Sequence, residues 1–452
     1  MIAISILRGI LGVLIIFGIA WLVSNNKKRV SWRLVGMGLL IQLTFALLVL
    51  KGSELGHYVF FLEWPKKAFE LIGYGFVKIL GFTTEGARFV FGNLAVSDGM
   101  QGSLGFFFAF QVLPTIIFFS AMMALLYYLG VMQRIVQGMA WVMSRLMGTS
   151  GAESLSNTAN IFVGQTEAPL MIRPYIKGMT NSELLTIMVG GMATIAGGVM
   201  AAYVQMLGSS YAQAHNLSLE MGQIKFAVQL LGASMMAAPA ALAISKIMFP
   251  ETGVPETKGV VKVKVEKNAS NAIEALAGGA SDGLQLALNV GAMLIAFIAV
   301  IALVNWLLQS LGDATGLSAW TMSQFGQPVT LQLLMGLVLQ FLAWGVGVPW
   351  QDALQVGSLL GTKVVLNEFV AYFEMAKMIT SNVLVSEKAI IMSSFALCGF
   401  ANFSSIAIQI GGISPMAPER RKDLAALGLR AVLGGMLSTL LTATIAGVLY
   451  SF

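Results

Sequence analysis

The sequence predicts an all-α polytopic membrane protein with eight transmembrane helices, two re-entrant hairpins, an interfacial helix and an inverted internal repeat. Three observations carry that prediction. Of 452 residues, 57% are hydrophobic and 11% charged, whereas soluble domains carry roughly 25% charged residues. Apolar runs recur near 9–24, 34–50, 104–130, 184–207, 226–249, 283–308, 388–413 and 427–450, each close to the ~20 residues that span a bilayer. Two further apolar stretches, 152–176 and 329–372, are broken by polar residues and prolines. They read as hairpins that enter and leave on one face, because proline and polar backbone do not continue a plain membrane helix.

The first run is followed by Asn25-Asn26-Lys27-Lys28-Arg29 and ends at Trp21 and Val23. A cleaved leader carries its charge before the apolar core and ends in small residues, so this run reads as a retained span with its N-terminus outside. Eight spans then place the C-terminus outside as well. The segments this puts in the cytoplasm carry Lys27, Lys28, Arg29 and Arg33, then Arg134, Arg145, Arg173 and Lys177, then Lys258, Lys262, Lys264 and Lys267, and finally Arg420, Arg421 and Lys422. The outside loop 309–327 has Asp313 and no Lys or Arg. This is the positive-inside pattern, and it accounts for the net charge of +6 without a nucleic acid partner. The exception is 51–88, an outside segment of both signs whose Trp64, Pro65 and Tyr74 suggest a helix lying in the interface. Val260 to Glu266 alternates Val with Lys or Glu and reads as a solvated linker between spans.

A duplication shows in outline. Hairpin, span, span occurs at 152–249 and again at 329–450. In the first copy Gln165-Thr166-Glu167 precedes an interruption at Ala193 to Gly198; in the second Asn367-Glu368 precedes one at Phe400 to Ser405. Paired broken helices at matching positions point to a transporter site at the membrane midplane.

Several chemistries are excluded. The single cysteine, Cys398, forms no internal disulfide, and His57 and His215 lack metal-ligand spacing. No phosphate-cradling Gly-x-x-x-x-Gly-Lys-Ser/Thr loop and no His-Glu-x-x-His pair occurs. With no ATP site, uphill transport would draw on an ion gradient.

Glu167 and Glu368 are the leading site residues, since intramembrane carboxylates are costly and mark solute or ion paths; the structural alternative is helix capping at hairpin tips. Gln165 and Thr166 offer an amide edge and a hydroxyl, able to read a nucleobase edge or to bond between helices. Asn160 and Thr194 could supply neutral oxygens to a monovalent cation, or Thr194 could bond its own helix. Asn402 and Ser405 sit among small residues in an apolar span, where close packing competes with solute binding. Phe400 and Phe403 taken alone read as packing residues.

At these residues the chain resembles the concentrative nucleoside transporter family in its shorter bacterial form. The likeness runs through FAFQVLPTIIFFSA at 108–121, GQTEAPLMIRPY at 164–175, SDGLQLALNVGAM at 281–293, NEFVAY at 367–372, CGFANFSSIAIQIGG at 398–412 and APERRKDLAALGLRAVLGG at 417–435. The resemblance implies a Na⁺- or H⁺-coupled nucleoside symporter of the bacterial inner membrane. It also implies a homotrimer, with an outer scaffold and an inner domain that moves like an elevator. It implies base contacts from Gln165, Thr166 and Glu167, ribose contacts from Glu368, and ribose and ring contacts from Phe400, Asn402 and Ser405, with Val199 packing on the solute. A sodium site would use Asn160, a carbonyl at Val163, and Thr194 followed by Ile195. The implied partition has scaffold at 1–105, a third span and cytoplasmic connection at 106–150, and transport elements at 151–249. A linker and scaffold span follow at 250–327, with transport elements again at 328–452.

The expected function is therefore Na⁺-coupled import of pyrimidine nucleosides such as uridine, with purine nucleosides as a second class. Proton coupling of the same transporter, and a passive channel for a small polar solute, are the alternatives. A membrane enzyme with Glu167 and Glu368 as acid and base would need a nucleophile or metal set, and neither accompanies them.

Overall fold

The computed structural model describes residues 2–57, 59–96, 102–258 and 269–451. Among them there is no β-strand, only one isolated bridge between Ser150 and Lys258. The charged linker positions 260–267, with Lys262, Lys264 and Lys267, lie outside the described residues.

The chain opens with α1 (Ile2–Leu22), α2 (Trp32–Leu50), α3 (Trp64–Phe91), α4 (Leu113–Tyr128) and α5 (Val131–Met147). A polar set follows. The short α6 (Gly151–Ala159) turns into a tight helical segment, Ala168–Ile172, which packs back on it. Next come α7 (Asn181–Ala193), α8 (Gly197–His215) and the long α9 (Leu219–Met248). After α10 (Ala272–Thr315) and α11 (Leu317–Phe325), a second set runs α12 (Leu331–Gly345), α13 (Trp350–Val365), α14 (Glu368–Thr380), α15 (Glu387–Leu397), α16 (Phe403–Ile413) and α17 (Arg421–Tyr450). The two sets share an order: a helix, two arms around an acid-bearing break, a broken helix, then a 30-residue helix.

Burial separates two kinds of apolar helix. In α7–α8, α9 and α17, between 83% and 89% of the most apolar window is buried; in α1, α2, α4 and α10 the figure is 17% to 33%. A helix apolar on every side is either enclosed by protein or faces lipid. The first group is thus a core and the second a surrounding layer. α9 lies against α8, α7, α17, α2 and α3, so it is the axle of that core. Close approach within the outer layer uses small residues. A Cβ on Gly279 of α10 would lie 2.5 Å from Ala124 Cβ, and one on Gly283 2.8 Å from Ile117 Cα on α4.

The termini of the inner helices are capped by their own sequence. Ser150 with Glu153, and Thr180 with Glu183, form capping boxes on α6 and α7. Asn367 and Asn402 accept from Val370 N and Ser405 N to cap α14 and α16.

Two expectations are corrected. The stretch 329–372 is not one hairpin: α12 and α13 meet at a bend of 119° and pack along each other, and a second break at Leu366–Asn367 then starts α14. Alternating apolar and polar residues had concealed two helices in one run. The seventh span, 388–413, breaks at 398–402 into α15 and α16, at the interruption expected near Phe400 to Ser405. By length and composition the described residues therefore hold seven membrane-crossing helices, or up to eight if the bent α12–α13 pair is one span. The loop 309–327 is largely helical, because α10 continues to Thr315 and α11 follows after Gly316, whose φ of +77° turns the chain. Segment 51–88 does contain a long helix, α3, which buries Phe69, Gly73, Val77, Leu80 and Ala87 on one stripe and leaves Leu71, Ile72 and Phe82 exposed.

Candidate functional site

Four breaks in helices converge on one place. The turn after α6 meets the α7–α8 break, where Gly197 N donates to Phe162 O over 3.1 Å. The α15–α16 break lies against the same spot, since a Cβ on Gly399 would be 2.7 Å from Met192 O. The α13–α14 break joins through its acid. Glu368 is the first residue of α14, and its Oε2 accepts from Asn402 Nδ2 at 3.0 Å. Unwound backbone at this depth is tolerated where it is enclosed by protein or lines a cavity.

Side chains connect these breaks in a continuous chain. Tyr203 Oη on α8 donates to Glu368 Oε1 at 2.9 Å. Asn402 accepts from Ser405 N at 2.9 Å and from Ser404 Oγ at 2.8 Å. Ser405 Oγ accepts from Gln165 Nε2 at 3.0 Å. Gln165 Oε1 accepts from Gln409 Nε2 at 3.0 Å, and the same nitrogen donates to Met188 O at 3.0 Å. The contact to the Met188 carbonyl identifies the Gln409 atom as nitrogen, which makes the facing Gln165 atom an oxygen. Gln165 is therefore held with a known orientation. One proton of its NH₂ and one lone pair of its carbonyl remain for a solute.

Apart from the half-buried Ser404, the members of this chain are buried, from Tyr203 and Gln409 at 0% exposed to Gln165 at 7%. A buried carboxylate is costly unless hydrogen bonds offset its desolvation, and Glu368 takes a side-chain donor on each oxygen. It is not the cap of α14, because Asn367 fills that role. Its carboxylate is thus free for another purpose.

The other predicted residues divide. Phe400 lies half-buried in the α15–α16 break. Val199 is buried one turn before Tyr203 on α8, on the same face. The Thr166 methyl abuts Gly412 of α16. Glu167 stands apart: it is exposed, and its Oε2 accepts from Gly164 N at 2.8 Å, closing the turn. The structure brings together Gln165, Glu368, Asn402 and Ser405, and leaves Glu167 at the rim. A cleft of about 490 Å³ elsewhere, lined by Arg29, Arg33, Arg145, Glu153 and Lys246 among others, contains none of them.

Asn160 is fully buried; its Nδ2 donates to Ser156 O at 3.0 Å, but its Oδ1 has no partner. The Ser156 hydroxyl is likewise unpartnered. Thr194 is buried and donates back to Gly190 O at 2.9 Å, which leaves its oxygen able to accept. Ile195 is buried and Val163 half-buried nearby in sequence. An orphaned buried oxygen costs roughly 1–3 kcal/mol, a cost that a ligand on Asn160 Oδ1 would offset. Neutral oxygens suit a monovalent cation. No group of three or more His, Cys, Asp or Glu that could hold a metal exists among the described residues.

Tyr203, Gln409, Lys363 and Ser156 escaped the reading from sequence. Tyr203 lies four residues after Val199, Gln409 four after Ser405, and Ser156 four before Asn160. The helical spacing of 3.6 would have placed Tyr203, Gln409 and Ser156 each on the face of a residue already chosen; no such spacing singles out Lys363.

Comparison with known proteins finds relatives over nearly the whole chain. The model described as "Na+ dependent nucleoside transporter N-terminus" matches residues 11–94, "Nucleoside recognition" matches 109–210, and "Na+ dependent nucleoside transporter C-terminus" matches 229–447. An uncharacterized transporter of Haemophilus influenzae is 45% identical, covering 98% of each chain. The nucleoside permease NupC of Helicobacter pylori is 38% identical, again covering 98% of each. The rat sodium/nucleoside cotransporter 1 is 40% identical over 94% of this chain, which spans only 61% of that longer protein. The structure of CNTnw in an inward-facing substrate-bound state aligns at TM-score 0.83 and 40% identity, over 98% of this chain and 99% of that one.

Proposed function

The chain belongs to the concentrative nucleoside transporter family, and from that premise we propose that it imports nucleosides across a bacterial inner membrane by symport with Na⁺. The observation that carries the proposal is the buried chain Tyr203–Glu368–Asn402–Ser405–Gln165. A carboxylate lies beside one end and an oriented amide at the other, matching the two halves of a nucleoside. Ribose hydroxyls donate to the Glu368 oxygens, which have about four lone-pair sites between them. The base edge meets the free donor and acceptor of Gln165, with Thr166 and Glu167 at the rim and Val199 and Phe400 on the ring faces. Asn402 and Ser405 hold both ends in register.

Na⁺ travels as co-substrate. Asn160, a carbonyl at Val163, Thr194 and Ile195 would receive it, and the unpartnered Asn160 Oδ1 is the strongest reason for that choice. This set and the solute set share the α6 turn and the α7–α8 break. Filling one therefore stiffens the backbone that the other needs, which couples ion to solute. Satisfied polar groups also lower the cost of carrying the site past apolar scaffold. The buried core (α7–α9 and α13–α17) would then move against the lipid-facing layer in a trimer, by alternating access, with both termini outside. The second acid-bearing break would serve as the tip of a re-entrant hairpin.

Radiolabelled uridine uptake into proteoliposomes tests the proposal, with an inward Na⁺ gradient, an inward H⁺ gradient, or neither. Accumulation above the outside concentration with Na⁺ alone is expected. Accumulation with H⁺ alone would discard the sodium assignment, and equilibration without accumulation would mean a passive facilitator.

A further inference from the structure

Lys363 is the most buried cation near the site. It is 0% exposed, in the last turn of α13, five residues before Glu368. Its Nζ donates to Ala396 O at 2.8 Å and to Thr439 Oγ1 at 3.1 Å. No carboxylate contacts it directly among the described residues. A lysine wholly inside a membrane protein is rare and is kept for a purpose.

Its placement mirrors that of Glu368. Lys363 stands at the C-terminal end of α13 and bonds a terminal carbonyl of α15, the negative ends of two half-helices. Glu368 stands at the N-terminal end of α14 and bonds Asn402, the cap of α16, at the positive ends of the two complementary halves. One cation and one anion thus flank the same two breaks, each on the side that the helix dipoles favour. Five residues and a single helix break separate them along the chain. Among the described residues, the other titratable groups around the pair are Tyr203 of α8, Tyr372 of α14 and Cys398 of the α15–α16 break. These are neutral side chains at ordinary pH, so among the described residues Lys363 is the one countercharge in this group.

We infer that Lys363 is a positioning residue. It is the resident countercharge that keeps Glu368 ionised as a ribose acceptor, and it ties the α15–α16 break to α13. This inference rests on the proposed role of Glu368. Because no mobile ion is needed to hold that carboxylate ionised, solute affinity at low Na⁺ would still depend on Lys363.

The test is the pH profile of uridine uptake in proteoliposomes for the wild type, Lys363→Met, Lys363→Arg and Glu368→Gln. Loss of the countercharge makes the carboxylate easier to protonate, so the acid limb for Lys363→Met moves to higher pH by about one unit or more. Lys363→Arg keeps the charge and leaves the limb near its wild-type position. Coincident profiles for wild type and Lys363→Met would overturn the inference. Wild-type uptake by Glu368→Gln would instead remove the ribose assignment on which it stands. Should Lys363→Met fail to assemble, the infrared band of the protonated Glu368 carboxyl, identified by its loss in Glu368→Gln, can be titrated in the wild type. Ionisation at neutral pH supports the countercharge; a protonated acid at neutral pH overturns it.

Discussion

Tyr203 on α8 and Glu368 on α14, 165 residues apart, meet through a 2.9 Å hydrogen bond, hydroxyl to carboxylate, in a fully enclosed setting. The bond links the first broken helix to the second acid-bearing break. A hydrogen bond to a charged group contributes roughly 1.5–3 kcal/mol. Tyr203→Phe keeps the ring, which packs on Phe369 and Tyr372, and removes only the donor. Uridine affinity should fall about tenfold or more, the equivalent of roughly 1.4 kcal/mol or above, with assembly intact; an unchanged KM for uptake would count against the network.

The two acids should separate. Glu368 is buried with two side-chain donors, while Glu167 is exposed and holds one backbone N–H. Glu368→Gln is expected to abolish uptake, since an amide presents donors where Asn402 and Tyr203 already donate. Glu167→Gln keeps the turn acceptor and should cost less. Equal losses in the two variants would show that the exposed acid carries as much of the binding as the buried one.

Gln409 orients Gln165 through the bond to Gln165 Oε1 while anchoring itself to Met188 O. Gln409→Leu would free the Gln165 amide to rotate. The expected result is weaker uptake and a flatter preference among nucleobases, read from competition of unlabelled nucleosides against labelled uridine. A preference identical to wild type would argue that Gln165 needs no such support.

Asn160→Leu removes the orphaned Oδ1 without opening a void. Half-maximal activation by Na⁺ should move to a higher concentration by an order of magnitude or more. A Na⁺ titration of uptake at fixed pH measures this, and an unmoved activation curve would place the ion elsewhere.

A separate buried ion pair serves stability. Lys246 Nζ lies 2.8 Å from Glu153 Oε2 and 3.3 Å from Glu251 Oε2, and donates to Ser182 Oγ at 2.9 Å. Removing one partner of a buried pair typically costs about 3–5 kcal/mol, whereas replacing both costs far less. Lys246→Met should lower the Tm of the detergent-solubilised protein markedly, and Lys246→Met with Glu153→Gln should recover much of the loss.

Some of this was legible from residue order. Hydropathy marks the helices because each must bury about 20 apolar residues in lipid, and that requirement is local. The acids in the breaks and the polar interruptions at 194–198 and 400–405 stand out because polar groups are costly there. The sequence by itself thus determined the membrane class and the broken segments, and it singled out Gln165, Glu368, Asn402 and Ser405 as candidates. Only the tertiary structure decided which of them touch. The bonds Gln165–Ser405 and Tyr203–Glu368 span 240 and 165 residues, and no periodicity encodes a contact between two helices set by how both pack on α9 and α17. The same packing left Glu167 at the rim and buried Lys363, which in sequence resembles any lysine near a helix end. A side chain's type and spacing are properties of the chain; its burial and its partners arise when separate helices pack together.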